Sequence, residues 1–402
     1  MRGLDRVERY TYHFHVRAAL AEGLFTSVLW TATDVAAKNL HAGWFEIMLL
    51  SMAPGVVQLL SLFVANHLAS VDRRKLMMGA AFLGRLPLLA VLFTHDIWVF
   101  LTLVTIQSFS QVPVIAVWNA LLRANYTDSK RGTLFGRASQ YSSLLAGAGA
   151  IGAGVWLDHD PDAVRWIYPG AAGFGVLACW WFARVQVRPG FAATAAGPDA
   201  GALFTIRQVL VRDRDFRWFQ VGFFFYGLAF MAGATALPLF AANDLALTNT
   251  QMLGARALFG LCLMLGTPLM GRVMDRIGPA RLAARCYLIL LVFSITVLHI
   301  TDWRMYFVAQ VIYGFAMAGV HIAWNMGPIT LAPAREAARY MGVHMALVGA
   351  RALIGHPIGG FVIAVTAEPR YVFFFSLVFF GTAAWVMRRL ANQRDARNEG
   401  HS

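Results

Sequence analysis

Four charged side chains stand inside long apolar stretches of this chain, and they are the best candidates for chemistry. Glu22 and Asp34 lie in the first stretch, Arg256 lies in a later one, and Arg351 lies near the middle of another. An ionisable group is costly in such surroundings, so we expect it either to be paired or to serve a function. A carboxylate there can carry a proton, whereas an arginine keeps its charge and needs an anion nearby.

The sequence leaves the partners of these four groups open. Glu22 has no basic residue three or four positions away, so it is either a proton-coupling group or half of an ion pair with another helix. Asp34 is the second proton-coupling candidate, but it could pair with Lys38 one helical turn further on. The partner of Arg351 is either a carboxylate of the protein, such as Glu22 or Asp34, or an anionic substrate. Arg256 could extend to the membrane surface.

Polar and aromatic residues at helical spacing suggest faces of a ligand cavity. Gly23, Ser27, Trp30 and Asp34 form one such stripe. Two further stripes lie on segments that correspond to each other in the two halves of the chain. Hydrogen bonding between helices and core packing remain the alternative for every one of these residues. The candidates for a substrate cavity are Trp30, Gln107, Gln111, Trp118, Asn119, Gln310, Tyr313, His321, Trp324, Asn325 and Arg351.

Membrane-spanning helices must position these residues. Of the 402 residues, 58% are apolar and only 14% are charged, whereas soluble domains carry about 25% charge. Apolar runs of about 20 residues can cross a bilayer as helices, and they are too continuous for barrel strands. We predict an all-α membrane protein with twelve spans, at about 17–38, 44–68, 76–94, 97–122, 134–157, 166–186, 217–241, 250–271, 282–300, 303–330, 340–366 and 370–390.

The basic residues predict the orientation of the chain in the membrane. Of the 34 Lys and Arg residues, we assign 28 to the termini and the even-numbered loops, four to the odd-numbered loops and two to the spans. Positive charge is enriched on the cytoplasmic side, so both termini are expected there, in a bacterial inner membrane. The formal charge of +13 then belongs to loops near anionic lipid heads, and nucleic-acid binding is not expected.

The chain contains an internal repeat. The dipeptide Trp118-Asn119 recurs as Trp324-Asn325, 206 residues later, and Asp72-Arg73 recurs as Asp275-Arg276, 203 residues later. Repeats of this length in an apolar chain are typical of transporters with two similar halves. We predict a six-helix bundle at 1–186, a cytoplasmic linker at 187–213 and a second six-helix bundle at 214–402.

One loop carries a family signature. Residues 271–281 resemble the G-x-x-x-D-R-x-G-x-x-R loop of the major facilitator superfamily, and a second copy at Asp72-Arg73 lacks its glycines. The resemblance covers nearly the whole chain and implies a twelve-helix secondary transporter that works by alternating access. It also implies that contacts of this loop latch the cytoplasmic side. The gating residues it implies are Asp72, Arg73, Gly271, Asp275, Arg276, Gly278 and Arg281.

A glycine-rich string that resembles a drug-antiporter signature lies at 355–360, and its counterpart on the fifth span has no proline. The small residues let helices approach closely, so we interpret both strings as packing features, and antiport does not follow from them.

Several other classes of protein are disfavoured by the sequence. The three cysteines lie in apolar segments without a CxxC pattern, so we expect no disulfide, no metal and no cofactor. The Asp158–Asp162 loop is interpreted as turn chemistry. The sequence shows no nucleotide-binding motif and no cluster of residues typical of catalysis, so we do not expect an enzyme. The favoured function is proton-coupled transport of a small organic solute by a monomer in the lipid bilayer. The alternatives are a lipid or lysolipid flippase and a non-transporting membrane sensor.

Overall fold

The computed structural model describes residues 4–186, 188, 202–333 and 336–399. These residues are almost entirely helical, with no strand among them. The predicted linker at 187–213 lies mostly outside the described residues, and its described end forms a short helix. The helices are α1 Arg6–Leu29, α2 Ala32–Asn39, α3 Trp44–Ser70, α4 Arg73–Gly79, α5 Ile97–Asn125, α6 Asp128–His159, α7 Val164–Ala183, α8 Ala202–Arg212, α9 Arg214–Leu239, α10 Asn249–His299, α11 Trp303–Leu331, α12 Ala337–Thr366 and α13 Val372–Glu399.

The predicted all-α membrane fold is confirmed. Seven helices of the described chain are long and apolar enough to cross a membrane by themselves. Two of the predicted spans consist of several pieces: α1 and α2 together cover the first. The third consists of α4, a π-helical turn at Ala80–Arg85 and a 3₁₀ segment at Leu86–Phe93. Interruptions of this kind are tolerated in spans where neighbouring helices satisfy the freed backbone groups.

Gly278 separates two of the predicted spans within α10. Its backbone has φ 77° and ψ 164°, which is not helical, and Pro279 follows it. Only glycine adopts such a positive φ without steric cost. Proline then fits the first turn of the next helix, because the amide it lacks would have no helical partner there. The glycine of the loop signature therefore makes a tight turn between two long helices.

Aspartates mark the beginnings of several helices. Asp5, Asp72, Asp96, Asp213 and Asp302 each accept a hydrogen bond from a backbone N–H of the first helical turn. These N-caps satisfy amide groups that the helix itself leaves unpaired. They let the helices begin immediately after short polar loops.

The chain folds into two compact units. The first contains residues 1–42, 63–197 and 248–257, and the second contains 43–62, 198–247 and 258–402. Residues 43–62 group with the second unit and 248–257 with the first, and the predicted division into 1–186, 187–213 and 214–402 stays a prediction. Within the second unit, for example, a Cβ on Gly55 would come within 2.1 Å of the Cβ of Ala352. Such closeness requires a small residue on the first part of α3.

Small residues also mediate helix contacts inside the second unit. Cβ atoms at Gly355 and Gly359 would lie 2.9 Å from the Cβ of Met231 and 2.5 Å from the carbonyl oxygen of Ala232. The glycine string on α12 is therefore a contact surface for α9, which agrees with its interpretation as a packing feature.

Candidate functional site

A buried ion pair lies inside the first unit, between Glu22 and Arg85. The two terminal nitrogens of Arg85 lie 2.6 and 2.9 Å from the two carboxylate oxygens of Glu22. One of these nitrogens also donates to the carbonyl oxygen of Gly175 at 2.7 Å, and the guanidinium lies over the ring of Phe25. Arg85 is completely buried, whereas 16% of the Glu22 side chain is exposed. This fork-to-fork geometry is the strongest form of an arginine–carboxylate contact.

Three helical segments position this pair. Arg85 is the last residue of the π-helical turn, a local widening that often occurs at functional sites. Gly175 on α7 leaves room for the arginine, since a Cβ there would lie 2.9 Å from its Cδ. Glu22 comes from the middle of α1. The site therefore combines an acid, a permanent cation and a backbone acceptor within the bundle.

The sequence assignment of Arg85 requires correction. The count of 28 basic residues in the termini and even-numbered loops includes Arg85, although this residue falls within the predicted third span at 76–94. Arg85 is completely buried within the candidate span Arg73–Phe93, so we interpret it as an intramembrane charge and not as a topology signal. The partner of Glu22 is 63 positions away, so helical spacing could not reveal it. The position of Arg85 inside an apolar span was the available signal.

A second buried ion pair in the first unit joins Asp34 and Arg256. The distance between the Nε of Arg256 and Asp34 is 2.9 Å, and only 1% of the Asp34 side chain is exposed. Arg256 thus reaches a carboxylate and not only the membrane surface. The local pairing of Asp34 with Lys38, which the sequence allowed, is not the contact that forms.

The same segment of α10 has another attachment within the first unit. The carboxylate of Asp158 accepts hydrogen bonds from the backbone N–H groups of Asn249 and Thr250, at 2.6 and 2.9 Å. Burial raises the pKa of Asp158, but hydrogen bonds from Thr250 and Asn249 outweigh burial, so the pKa is lowered. The described residues include no group of three His, Cys, Asp or Glu side chains arranged to hold a metal ion.

The polar stripe on α1 packs partly against α6. A Cβ on Gly23 would meet the carbonyl oxygen of Ser142 at 2.4 Å, and a Cβ on Gly149 would meet the hydroxyl of Ser27 at 2.6 Å. Trp30, in contrast, is 73% exposed. This part of the stripe therefore serves close helix packing, and the cavity role of Trp30 stays a prediction.

The repeated tryptophans occupy similar surroundings in the two units. Trp118 contacts His15 edge-on at a centroid distance of 5.4 Å, and Trp324 contacts His344 at 5.3 Å. Trp118 also stacks on Phe182 at 4.3 Å. Both histidines are completely buried. Sequence spacing does not reveal these histidines, because they lie on α1 and α12, far along the chain from the tryptophans they contact.

The other cavity candidates lie in varied environments. Gln310 is fully buried, and neither its amide oxygen nor its amide nitrogen has a hydrogen-bond partner in the described chain. Tyr313 stacks on Phe293 at 4.6 Å. Gln107 is buried, Gln111 is half-buried and His321 is exposed. The half-buried Asn325 donates to the carbonyl oxygen of His321, and the side chain of Asn119 lies outside the described part.

Arg351 is the buried cation of the second unit, and it is 2% exposed. Its Nη1 donates to the carbonyl oxygen of Phe223 at 2.6 Å, and its Nε donates to that of Leu347 at 3.1 Å. No carboxylate of the described residues of the second unit lies within ion-pair distance of it, and Glu22 and Asp34 pair with Arg85 and Arg256.

The two copies of the loop signature differ in their contacts. In the first unit, Asp72 caps α4, and Arg73 and Arg74 line a cavity of about 510 Å³ with apolar side chains of α5 and α7. In the second unit, Arg281 pairs with Asp395. Gly271 is half-buried, whereas Asp275 and Arg276 are exposed. The gating role of these residues stays a prediction.

Helices of this length and apolarity, with buried ion pairs inside them, define a multi-pass integral membrane protein. The family model of the Major Facilitator Superfamily matches residues 18–261 and 221–401. The chain belongs to the Major Facilitator Superfamily, and its fold is the transporter fold of that family, as the loop signature suggested.

Solved structures share this fold. The chain is similar to the D323A mutant of the nucleoside transporter NupG, with a TM-score of 0.76 and 12% identity over 95% of this chain and 99% of that one. It is also similar to a bacterial homolog of the human lysosomal transporter Spinster in an inward-facing, unoccupied conformation, with a TM-score of 0.71 and 13% identity over 97% and 98% of the two chains. No curated protein matches the sequence. At these identities the likeness concerns the fold alone.

Proposed function

We propose that this protein is a secondary active transporter that moves a small organic solute across the membrane by alternating access. The family assignment supports transport, and the Glu22–Arg85 pair carries the proposal of ion coupling. A paired acid and cation inside a span are costly to maintain. A purely structural role is disfavoured, because apolar side chains of similar size could fill the same space without the desolvation cost of two buried charges.

The proposed driving ion is the proton. Protonation of Glu22 would remove the negative charge of the pair and weaken its hold on Arg85, which would allow α1 to move relative to the helix that carries Arg85. Its partial exposure gives water a route to the carboxylate. Asp34 is the second candidate, but it is almost fully enclosed beside Arg256. We place both chain termini in the cytoplasm and the protein in a bacterial inner membrane.

A ligand screen followed by vesicle transport tests this function. Purified protein is first screened by thermal shift against uridine, because one structural relative is a nucleoside transporter, and against small carboxylates, amines and sugars. Uptake of each stabilising compound into proteoliposomes is then measured with and without an imposed pH gradient. We expect the gradient to drive accumulation above the external concentration.

Variants at Glu22 identify the coupling group. Glu22→Gln should abolish accumulation driven by the gradient while leaving exchange across the membrane. Glu368→Gln, which changes an exposed carboxylate, is the matched control and should behave like the wild type. Wild-type uptake that ignores the pH gradient would refute proton coupling, and absence of any solute flux would refute transport.

A further inference from the structure

Arg351 carries a charge that the described residues do not neutralise. Its hydrogen bonds go to two backbone carbonyl oxygens, which are neutral, and no carboxylate of the described residues of the second unit lies within ion-pair distance. An arginine cannot lose its proton to escape this situation. The helix contact is shaped around it, since a Cβ on Gly227 would lie 2.5 Å from its Cδ. The second unit therefore holds a cation whose counter-charge is missing.

Hydrogen-bonding groups without partners surround this cation. The hydroxyl of Tyr287 and the Nε2 atoms of Gln220 and His344 are buried and have no hydrogen-bond partner among the described residues. Gln220 and His344 are held together by a 2.9 Å contact between their other polar atoms. Tyr287 and His344 are completely buried, and Gln220 is 4% exposed. Buried polar groups without partners are rare in native proteins, and each calls for an explanation such as a bound ligand, ion or water.

These groups lie together around the arginine. Tyr226 and Tyr287 stack at 4.9 Å with their rings nearly parallel, and the guanidinium carbon of Arg351 lies 6.0 Å from the centroid of the Phe223 ring. The ring of Phe223 lies between them, 5.9 Å from Tyr287 and 5.3 Å from His344. We call Gln220, Tyr226, Tyr287, His344 and Arg351 the Arg351 cluster.

We propose that the Arg351 cluster binds the carboxylate of a small organic anion, which is the solute that this transporter carries. The anion supplies the missing counter-charge, and Tyr287 and Gln220 donate the hydrogen bonds that the carboxylate oxygens accept. The aromatic rings around the cluster favour a planar or aromatic body. Because Arg351 is 2% exposed, binding requires movement of the side chains around it. This inference rests on the proposed transport function and names its substrate class.

The first test measures melting temperature in the absence of ligand. If the counter-charge of Arg351 is a bound anion, the ligand-free protein contains an uncompensated buried charge. Arg351→Met should then keep or raise the melting temperature, because the substitution removes this charge and leaves no carboxylate unpaired. The two carbonyl oxygens lie within α9 and α12 and retain their helical surroundings. A marked fall in the melting temperature of Arg351→Met would show that the arginine serves structure, and it would overturn the proposal.

The second test measures anion binding. Benzoate, phenylacetate and indole-3-acetate are each compared with the corresponding uncharged amide by thermal shift. At about 100 times its dissociation constant, a ligand of the wild type should raise the melting temperature by about 5 °C, and its amide should not. Arg351→Met should lose this shift. Arg370→Met is the matched control, because Arg370 also donates to two carbonyl oxygens and lies over a phenylalanine ring.

The outcomes separate this inference from the transport function. If none of the three acids stabilises the wild type, or if Arg351→Met responds equally, the anion proposal is wrong. Uptake of uridine in the same vesicle preparations, unaffected by Arg351→Met, would also refute it while leaving transport by this protein intact.

Discussion

At the scale of single residues, this protein uses arginine in two different ways. Arg85 contacts a carboxylate through two short hydrogen bonds, whereas the hydrogen bonds of Arg351 to the described residues go to carbonyl oxygens. Burying an ion pair removes two hydration shells, and mutual attraction offsets that cost only when the geometry is good. Removing one partner of such a pair leaves the other charge uncompensated. Replacing Arg85 by a neutral residue should therefore lower the stability of the protein, whereas replacing Arg351 should keep or raise it.

The Glu22–Arg85 pair leads to a prediction for stability. Arg85→Met alone should destabilise the protein by about 3–5 kcal/mol, because it leaves the Glu22 charge without a partner. The double variant Glu22→Gln with Arg85→Met should recover most of this loss but should not recover proton-driven uptake. Chemical denaturation of the two single variants and the double variant gives the coupling energy. Additive effects of the two substitutions would contradict a direct pair.

At the scale of helices, Glu8 attaches the beginning of α1 to the beginning of α6. Its carboxylate accepts hydrogen bonds from the N–H and hydroxyl of Thr127 and from Lys130, and it forms a capping box with Asp5. Burial raises its pKa, but the hydrogen bonds from Thr127 and Lys130 outweigh burial and lower the pKa to about 2. The ordinary value is about 4.5, so folding favours the ionised form.

This shift predicts an acid dependence of stability. Because the folded state lowers the pKa, the contribution of Glu8 is complete above about pH 4.5 and is lost as the pH falls towards 2. Glu8→Gln should reduce the melting temperature at pH 7 and flatten its decline between pH 5 and pH 3. Asp162→Asn, which changes an exposed carboxylate, should leave the curve unchanged. If the melting temperatures of wild type and Glu8→Gln fall equally with decreasing pH, ionised Glu8 does not stabilise the folded state.

Close helix packing gives a second prediction at this scale. Gly359→Ala should destabilise the second unit, because the new Cβ would lie 2.5 Å from the backbone oxygen of Ala232, and backbone cannot easily move aside. Gly152→Ala is the control, since its Cβ would meet nothing within 4 Å. Alanine should be neutral there or stabilise the helix by about 0.5–1 kcal/mol. Equal melting temperatures of the two variants would contradict the packing interpretation.

At the scale of the whole molecule, the distribution of basic residues still predicts cytoplasmic termini after Arg85 is removed from the count. A cysteine placed at Asp160 should react with an impermeant reagent added from outside the cell, and one at Gly197 should not. The native background is expected to be low, because Cys179, Cys262 and Cys286 are all buried. Labelling of both positions from outside would refute the proposed orientation.

The loop signature illustrates which structural features follow from local sequence alone. Gly278 and Pro279 form the turn that their residue types require, and aspartates cap the helices that follow short loops. These features depend on neighbours within a few positions. The interruption of the third span at Ala80–Arg85 and the assignment of 43–62 to the second unit depend on contacts with distant helices, and no local pattern predicted them.

The sequence by itself determined that the apolar segments lie in lipid, that the fold is all-α, and which family the chain belongs to. Apolar runs must be helices in lipid, because the backbone finds no other hydrogen-bond partners there, and this constraint acts on each segment separately. Only the tertiary structure decided which charges meet. Glu22 and Arg85 are 63 positions apart, and Asp34 and Arg256 are 222 apart. Ion pairing depends on distances of a few ångströms between helices, and packing sets those distances.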